Sequence, residues 1–251
     1  MITVFAVLIA CNNDDSDSNF KISDQLINVF DNGIISRANS FIEEASSFKN
    51  SVENFTEVST QENFENVQNA WKILKLEWEP LEVLTFGINV NITNQITNID
   101  FWPINPEVID QIIEQNEFFV DLTLLLNANN RILGLAAIEY ILFEENLTPF
   151  TNEEYSINRK NFLLAQANYI IGQAEKYKNE QLKNEQVFKE ASTKSVTGTQ
   201  NFLFNEVVFK LDEISNLKIG EALGISTGVS NANNTEASYS EFYLNIIERE
   251  L

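Results

Sequence analysis

Carboxylates are the main side chains available for chemistry in this chain, because the usual catalytic alternatives are missing. Its 251 residues include 37 Asp and Glu, one Cys and no His. An imidazole general base, a Ser-His-Asp triad and a histidine-ligated zinc site are therefore excluded. One cysteine also excludes an intrachain disulfide and a thiolate metal cluster. The residue types left for any chemistry are carboxylates, hydroxyls, amides, lysine, arginine and tyrosine, and no catalytic residue is indicated.

Three of the carboxylates are candidate metal ligands. Glu79 and Glu82 are three residues apart beside Pro80, so on a helix they would share a face. Glu139 stands in an apolar segment further along the chain. If the three met, their oxygens would suit a hard cation such as Ca²⁺ or Fe³⁺, the only cofactor that the residue types suggest. The alternative is that all three are solvated charges on helix surfaces.

The net charge limits the partners. The formal charge is −21, and a field of that sign repels phosphate backbones, whose binding depends on Lys and Arg. We expect no nucleic-acid partner, whereas cations, cationic ligands and basic protein surfaces fit the charge.

The elements that must position these carboxylates are helices. From Gln25 to Phe55 the apolar residues recur every three or four positions, which predicts one long amphipathic helix. The segments 59–62 and 151–154 have the order of capping boxes and predict the starts of two further helices. Later helices are predicted at about 105–125, 131–143 and 196–217, with a short one at the carboxy terminus. Trp71, Trp78 and Trp102 are predicted core anchors.

No segment alternates like a strand, so we predict an all-α fold of helical bundles. The segment Gly87–Pro103 is rich in Asn and Thr, and we expect an ordered loop there. Pro149 suggests a boundary between a first bundle at 25–149 and a second at 150–251.

The amino terminus resembles that of a bacterial lipoprotein. Residues 2–10 are apolar and lead directly into Cys11, as in a lipobox. As a helix this run would be roughly 14 Å long, too short for the ~30 Å hydrocarbon layer, so it fits a signal peptide over 1–10. We expect acylated Cys11 to bind the lipid membrane of the cell envelope, as an outer-membrane lipoprotein. An ordinary cleaved secretory signal is the alternative.

The residues around this signal give two further expectations. No basic residue precedes the apolar run, so the true start is expected to lie further upstream. Residues 11–24 are polar and acidic and form a predicted tether. Acidic residues directly after the cysteine resemble a surface-export signal of Bacteroidetes lipoproteins, and a plain linker is the alternative.

Several segments together resemble the imelysin family. They are Ala70–Gly87 (AWKILKLEWEPLEVLTFG), Ile99–Asn105 (IDFWPIN), Gly134–Phe143 (GLAAIEYILF), Lys218–Gly224 (KIGEALG) and Thr235–Ser240 (TEASYS). The resemblance implies an exported bacterial protein, often a lipoprotein, built as two helical bundles with a cleft between them. It also implies an envelope role linked with iron or other metal acquisition. The founding member was described as a metallopeptidase.

Two departures from the family pattern bear on function. The family's G-x-H-x-x-E motif is matched at Gly134 and Glu139, but its histidine position is Ala136. Family members usually continue beyond the Tyr-Ser segment, so the second bundle is expected to be shortened. That would leave apolar residues of the late helices, such as Phe202, Val207 and Phe209, partly uncovered.

These observations favour a non-catalytic envelope lipoprotein that binds a ligand or metal ion, or assists metal (iron) uptake together with uptake proteins. The alternatives are a metallopeptidase of the imelysin type and a structural helical adaptor. The missing histidine speaks against the peptidase. It does not separate the binding protein from the adaptor.

Overall fold

The long amphipathic helix predicted from Gln25 forms the first element. The computed structural model describes residues 21–84, 90–115, 130–152, 154–190, 198–225, 227–231 and 235–251. The predicted signal peptide and Cys11 lie outside them. Helix α1 (Ile22–Asn28) leads through a π-helical segment (Val29–Ile35) into α2 (Ser36–Glu57). The apolar positions predicted to face inward are all buried, from Leu26 to Phe55. The helix begins within the predicted tether, three residues before Gln25.

The second helix, α3 (Gln61–Glu82), begins one residue later than a Ser59 cap would place it. Thr60 is the N-cap, and its hydroxyl accepts a hydrogen bond from the backbone N–H of Asn63 at 3.2 Å. The hydroxyl of Ser59 instead donates to the carbonyl of Phe55, at the end of the preceding helix. The predicted capping box is therefore wrong by one position. Pro80 lies in the last turn of α3, which continues two residues further.

The loop predicted at Gly87–Pro103 is wrong over much of its length. Helix α4 (Val90–Ile99) occupies it, although the part before Val90 lies outside the described residues. Ile96 and Ile99 are three residues apart, and both pack against the main core. Burial of this apolar face outweighs the weak helix propensity of the Asn and Thr residues between them.

The remaining helices follow at short intervals. The capping box predicted at 151–154 is not where a helix starts, because Thr151 ends a short helix and the next begins at Ser156 without a side-chain cap. The remaining α-helices and the second π-helical segment are α5 (Pro106–Gln115), α6 (Gly134–Phe143), α7 (Thr148–Thr151), α8 (Ser156–Lys183), α9 (Glu185–Glu190), α10 (Thr199–Glu213), the π-helical segment (Ile214–Ile219), α11 (Gly220–Leu223) and α12 (Tyr243–Glu250).

Every described element is helical, and no strand occurs in the described ranges, which confirms the all-α prediction. Among the described helices, none is both long and apolar enough to cross a membrane.

The main core is continuous across Pro149. Phe41 of α2 packs on Trp78 of α3 with ring centroids 5.2 Å apart, and Trp78 packs edge-on against Tyr177 of α8 at 6.1 Å. Helix α8 lies beyond Pro149 and packs along α2, so residues from both sides of Pro149 contribute to the main core. A smaller core forms around Leu26 and Phe188.

Helix α10 leaves much of its apolar surface open. The residues with more than half of their area exposed are Phe204, Val207, Val208, Phe209 and Leu211. The uncovered surface expected for the late helices is therefore present at Val207 and Phe209, and Phe202 is half-buried.

Candidate functional site

A glycine fixes the start of the helix that carries Glu139. Gly134 has φ 86°, and a Cβ on it would lie 2.3 Å from the carbonyl oxygen of Ile99. Its N–H donates to the side-chain oxygen of Gln166 on α8 at 3.0 Å, and the Gln166 amide donates to the carbonyl of Ile132 at 2.9 Å. Only glycine allows this close approach of α6 to the end of α4. The first residue of the predicted motif is thus a positioning residue.

Helix α6 is buried along almost its whole length, and Glu139 is buried with it. The side chains from Leu135 to Leu142 are buried, and Glu139 is only 3% exposed. Its Oε1 accepts two hydrogen bonds from Ser240, at 2.7 Å from the backbone N–H and at 2.8 Å from the hydroxyl. Burial raises the pKa of Glu139 to about 7, although both hydrogen bonds from Ser240 oppose the rise.

Glu139 lines a cavity of about 350 Å³ between the carboxy-terminal segment and the loop after α4. Ala136 lies beside it, one helical turn earlier. The remaining lining residues are Trp102, Pro103, Ile104, Leu217, Glu221, Thr235, Ala237, Ser238 and Tyr239. Trp102 is therefore not the core anchor that was predicted, because it is half-buried at the cavity, whereas Trp71 and Trp78 are fully buried.

A buried ion network lies next to the cavity and is centred on Lys75. The ammonium group of Lys75 contacts Glu79 at 2.6 Å and also contacts Asp100 and Glu236. All four residues are at most 7% exposed. Burial raises the pKa of Asp100 to about 6, against the attraction of Lys75. Burial also opposes ionisation of Glu236, but Lys75 and Lys218 outweigh it and lower that pKa to about 2.

Two further lysines extend the network to the carboxy-terminal helix. Lys218 contacts Glu236 at 2.5 Å and Glu250 at 2.6 Å. Lys210 contacts Glu250 at 2.8 Å, Glu82 at 2.6 Å and Glu213 at 3.1 Å. Burial would raise the pKa of Glu82, but the two lysines lower it overall. The network therefore ties α3, α10 and α12 together by charge.

The three predicted metal ligands do not form one group. Carboxylate oxygens of Glu79, Glu82 and Glu250 lie within 4.8 Å of one another, as do those of Glu79, Asp100 and Glu236. Glu139 joins neither group among the described residues. Each group is in contact with lysine ammonium groups, which supply the positive charge that a bound cation would otherwise provide.

Sequence reasoning missed Lys75, Lys218, Asp100 and Glu236 as members of the site. One signal was available, because Lys75 interrupts the apolar face of α3 between Leu74 and Trp78, and a lysine buried there requires carboxylate partners. The other signal is that the segments that resemble a known family supply these residues. Four of those five segments contribute Lys75, Asp100, Lys218 and Glu236, and the fifth carries Glu139.

The imelysin family model matches residues 34–251, most of the chain and both sides of Pro149. The chain belongs to the imelysin family. A comparison with curated proteins gave no match.

Two crystal structures share the imelysin fold of this chain. One is a candidate iron-regulated protein A precursor from Parabacteroides distasonis, with TM-score 0.75, 16% identity, and 93% of this chain and 73% of that chain covered. The other is an imelysin-like protein from Psychrobacter arcticum, with TM-score 0.73 and 13% identity. The match covers 91% of this chain and 71% of that chain. At these identities the likeness establishes the fold alone.

Proposed function

We propose that this member of the imelysin family is a non-catalytic binding protein of the cell envelope, which holds a small ligand or metal ion at Glu139 and assists metal (iron) uptake with partner proteins. One observation carries the proposal: a buried carboxylate lines a cavity large enough for a small ligand. The neighbouring position, Ala136, adds only a methyl group, so it leaves room and supplies no metal-binding nitrogen.

The hydrogen bonds of Glu139 support a binding role. Both donors of Ser240 reach Oε1, and no hydrogen bond from a described residue reaches Oε2. A carboxylate held rigidly by one oxygen presents the other in a fixed position. A cation or a hydrogen-bond donor in the cavity would satisfy it and would favour the ionised form.

The chemistry of the cavity argues against a zinc peptidase. A catalytic zinc takes three protein ligands, most often including imidazole nitrogen or thiolate sulfur. Neither type is among the cavity residues, and the chain contains no histidine. Carboxylate oxygens favour hard cations instead.

The link to metal uptake rests on charge and on family membership. A formal charge of −21 raises the local concentration of cations around the protein. The fold is shared with the Parabacteroides distasonis protein, which is described as an iron-regulated protein. Both observations favour a role in handling cations rather than anions.

Titration calorimetry of the full-length protein tests this function. Fe³⁺ held by a weak chelator, Ca²⁺ and small organic ligands would be titrated into the wild type, Glu139→Gln and the control Glu43→Gln, whose carboxylate is exposed. We expect at least one ligand to bind the wild type and Glu43→Gln with equal affinity. Glu139→Gln should bind that ligand at least roughly tenfold more weakly. Equal binding by all three proteins would contradict the assignment of the site to Glu139.

The envelope location is a separate part of the proposal. Acyl chains on Cys11 would hold the protein at a membrane, since each buried methylene contributes ~0.8 kcal/mol. In cells grown with labelled fatty acid, the wild type should be labelled and sediment with membranes. A Cys11→Ser variant that still sediments with the membranes would contradict the lipid anchor.

A further inference from the structure

We infer that the cavity takes a small organic cation, whose ammonium group pairs with Glu139 while its carbon body lies against the apolar wall. This inference rests on the proposed function and names the class of ligand. It follows from the charge, the shape and the surroundings of the cavity.

The lining of the cavity carries charge of one sign. Glu139 and Glu221 are its carboxylic acids, and none of its lining residues is a Lys or Arg. An anionic ligand would therefore have no Lys or Arg partner in the lining, and a neutral one would leave the Glu139 carboxylate without an ion-pair partner. A cation matches both the lining and the overall charge of the protein.

The wall beside Glu139 suits carbon better than a bare metal ion. Hard cations take six or more oxygen ligands, but Trp102, Pro103, Ile104 and Leu217 present mainly apolar atoms to the cavity. Apolar surface favours a ligand with its own carbon body. Trp102 and Tyr239 also contribute aromatic rings to the lining, and aromatic rings attract ammonium groups.

The adjoining network shows how this fold neutralises buried carboxylates. Where acidic oxygens cluster beside the cavity, the Lys75 ammonium contacts Glu79, Asp100 and Glu236. Glu139 has no ion pair of this kind among the described residues: Ser240 donates two hydrogen bonds to it, and Lys75 attracts it without forming an ion pair. An ammonium group from a ligand would pair with the Glu139 carboxylate, as the Lys75 ammonium pairs with the carboxylates of the adjoining network. A volume of 350 Å³ has room for about a dozen non-hydrogen atoms.

Titration calorimetry with benzylammonium at pH 8 tests this inference on the full-length protein. Benzyl alcohol is the neutral control of nearly the same shape, and benzoate is the anionic control. We expect benzylammonium to bind at least roughly tenfold more tightly than either control. Glu139→Gln should remove that advantage, whereas Glu43→Gln should keep it. Ala136→Leu, which fills the cavity without changing its charge, should weaken all three ligands.

The outcomes separate this inference from the function beneath it. If Ca²⁺ or chelated Fe³⁺ binds at Glu139 and benzylammonium does not, the organic-cation inference fails and the proposed function stands. If benzylammonium binds Glu139→Gln as tightly as the wild type, it binds elsewhere and the inference fails. If no metal ion and no organic ligand, charged or neutral, binds in a way that depends on Glu139, both fail. Thermal unfolding of each variant would show that it is folded.

Discussion

Ser240 donates two hydrogen bonds to a single oxygen of Glu139, a residue 101 positions earlier in the chain. The same short segment carries Glu236, which contacts Lys75 and Lys218 in the ion network. Between them Ala237 has φ 52°, a left-handed conformation that its surroundings must stabilise. The segment that lines one side of the cavity is thus held at one end by charge and at the other by Glu139.

Lys75 should be essential to stability. In Lys75→Met, the carboxylates of Glu79, Asp100 and Glu236 lose their shared counter-charge, and we expect a loss of about 3–5 kcal/mol in the free energy of unfolding. The control Lys49→Met removes a surface pair with Glu53 and should cost less than about 1 kcal/mol. Urea unfolding measures both. Equal effects would contradict a stabilising role for the buried network.

Two glycines should respond in opposite ways to alanine. Gly134→Ala places a Cβ against the Ile99 carbonyl and imposes a left-handed φ on alanine, so we expect a loss of more than about 1 kcal/mol. Gly172 lies inside α8 with open space around its Cβ position, and Gly172→Ala should stabilise the protein by up to about 1 kcal/mol. Thermal unfolding of the pair checks the sign of each. A neutral Gly134→Ala would mean that α6 approaches α4 less closely.

Sequence patterns predict some helices of this fold and miss others. The spacing from Leu26 to Phe55 predicted a buried helical face, because local periodicity directly reports which side of a helix is covered. The prediction of a loop at Gly87–Pro103 was wrong in α4, because packing of Ile96 and Ile99 against the core stabilises the helix by more than the low helix propensity of Asn and Thr destabilises it. A capping box identifies a helix start only to within a residue or so, as Thr60 shows.

The site was less predictable than the fold. Glu139 and Ala136 were identified from their segment, but nothing local connects them to Ser240. Lys75 meets partners 25 and 161 residues away, and such pairings depend on tertiary packing that a single sequence does not encode locally. The spacing of Glu79 and Glu82 correctly predicted that they lie near each other. Their ion pairs with Lys75 and Lys210 were not predicted.

Glu139 should make stability fall as pH rises through the neutral range. Its pKa is about 7 in the folded protein and ordinarily 4.5, so between these values the folded state binds the extra proton. The wild type should therefore lose stability relative to Glu139→Gln from pH 5 to 8, by up to about 3 kcal/mol. Urea midpoints of both proteins at several pH values measure this difference. A wild type that gains stability relative to the variant would contradict burial as the main influence on Glu139.

Replacing Ala136 with histidine should create a transition-metal site. Residues 136 and 139 both line the cavity and are three apart on α6, so an imidazole and the carboxylate could bind one ion. We expect Ala136→His to bind Zn²⁺ at least roughly tenfold more tightly than the parent, and the double variant with Glu139→Gln to lose that gain. Calorimetry measures the affinities. No gain in Ala136→His would show that the two positions do not converge on a ligand.

The amide proton of Ser240 reports on Glu139 directly, because its N–H donates to the carboxylate. In a nuclear magnetic resonance titration of the full-length protein at pH 8, benzylammonium should shift the Ser240 amide and Trp102 indole signals together and to saturation. In Glu139→Gln the same additions should leave both signals largely unmoved. Saturable shifts confined to residues away from the cavity, or identical shifts in the variant, would contradict the claim that Glu139 forms the binding site.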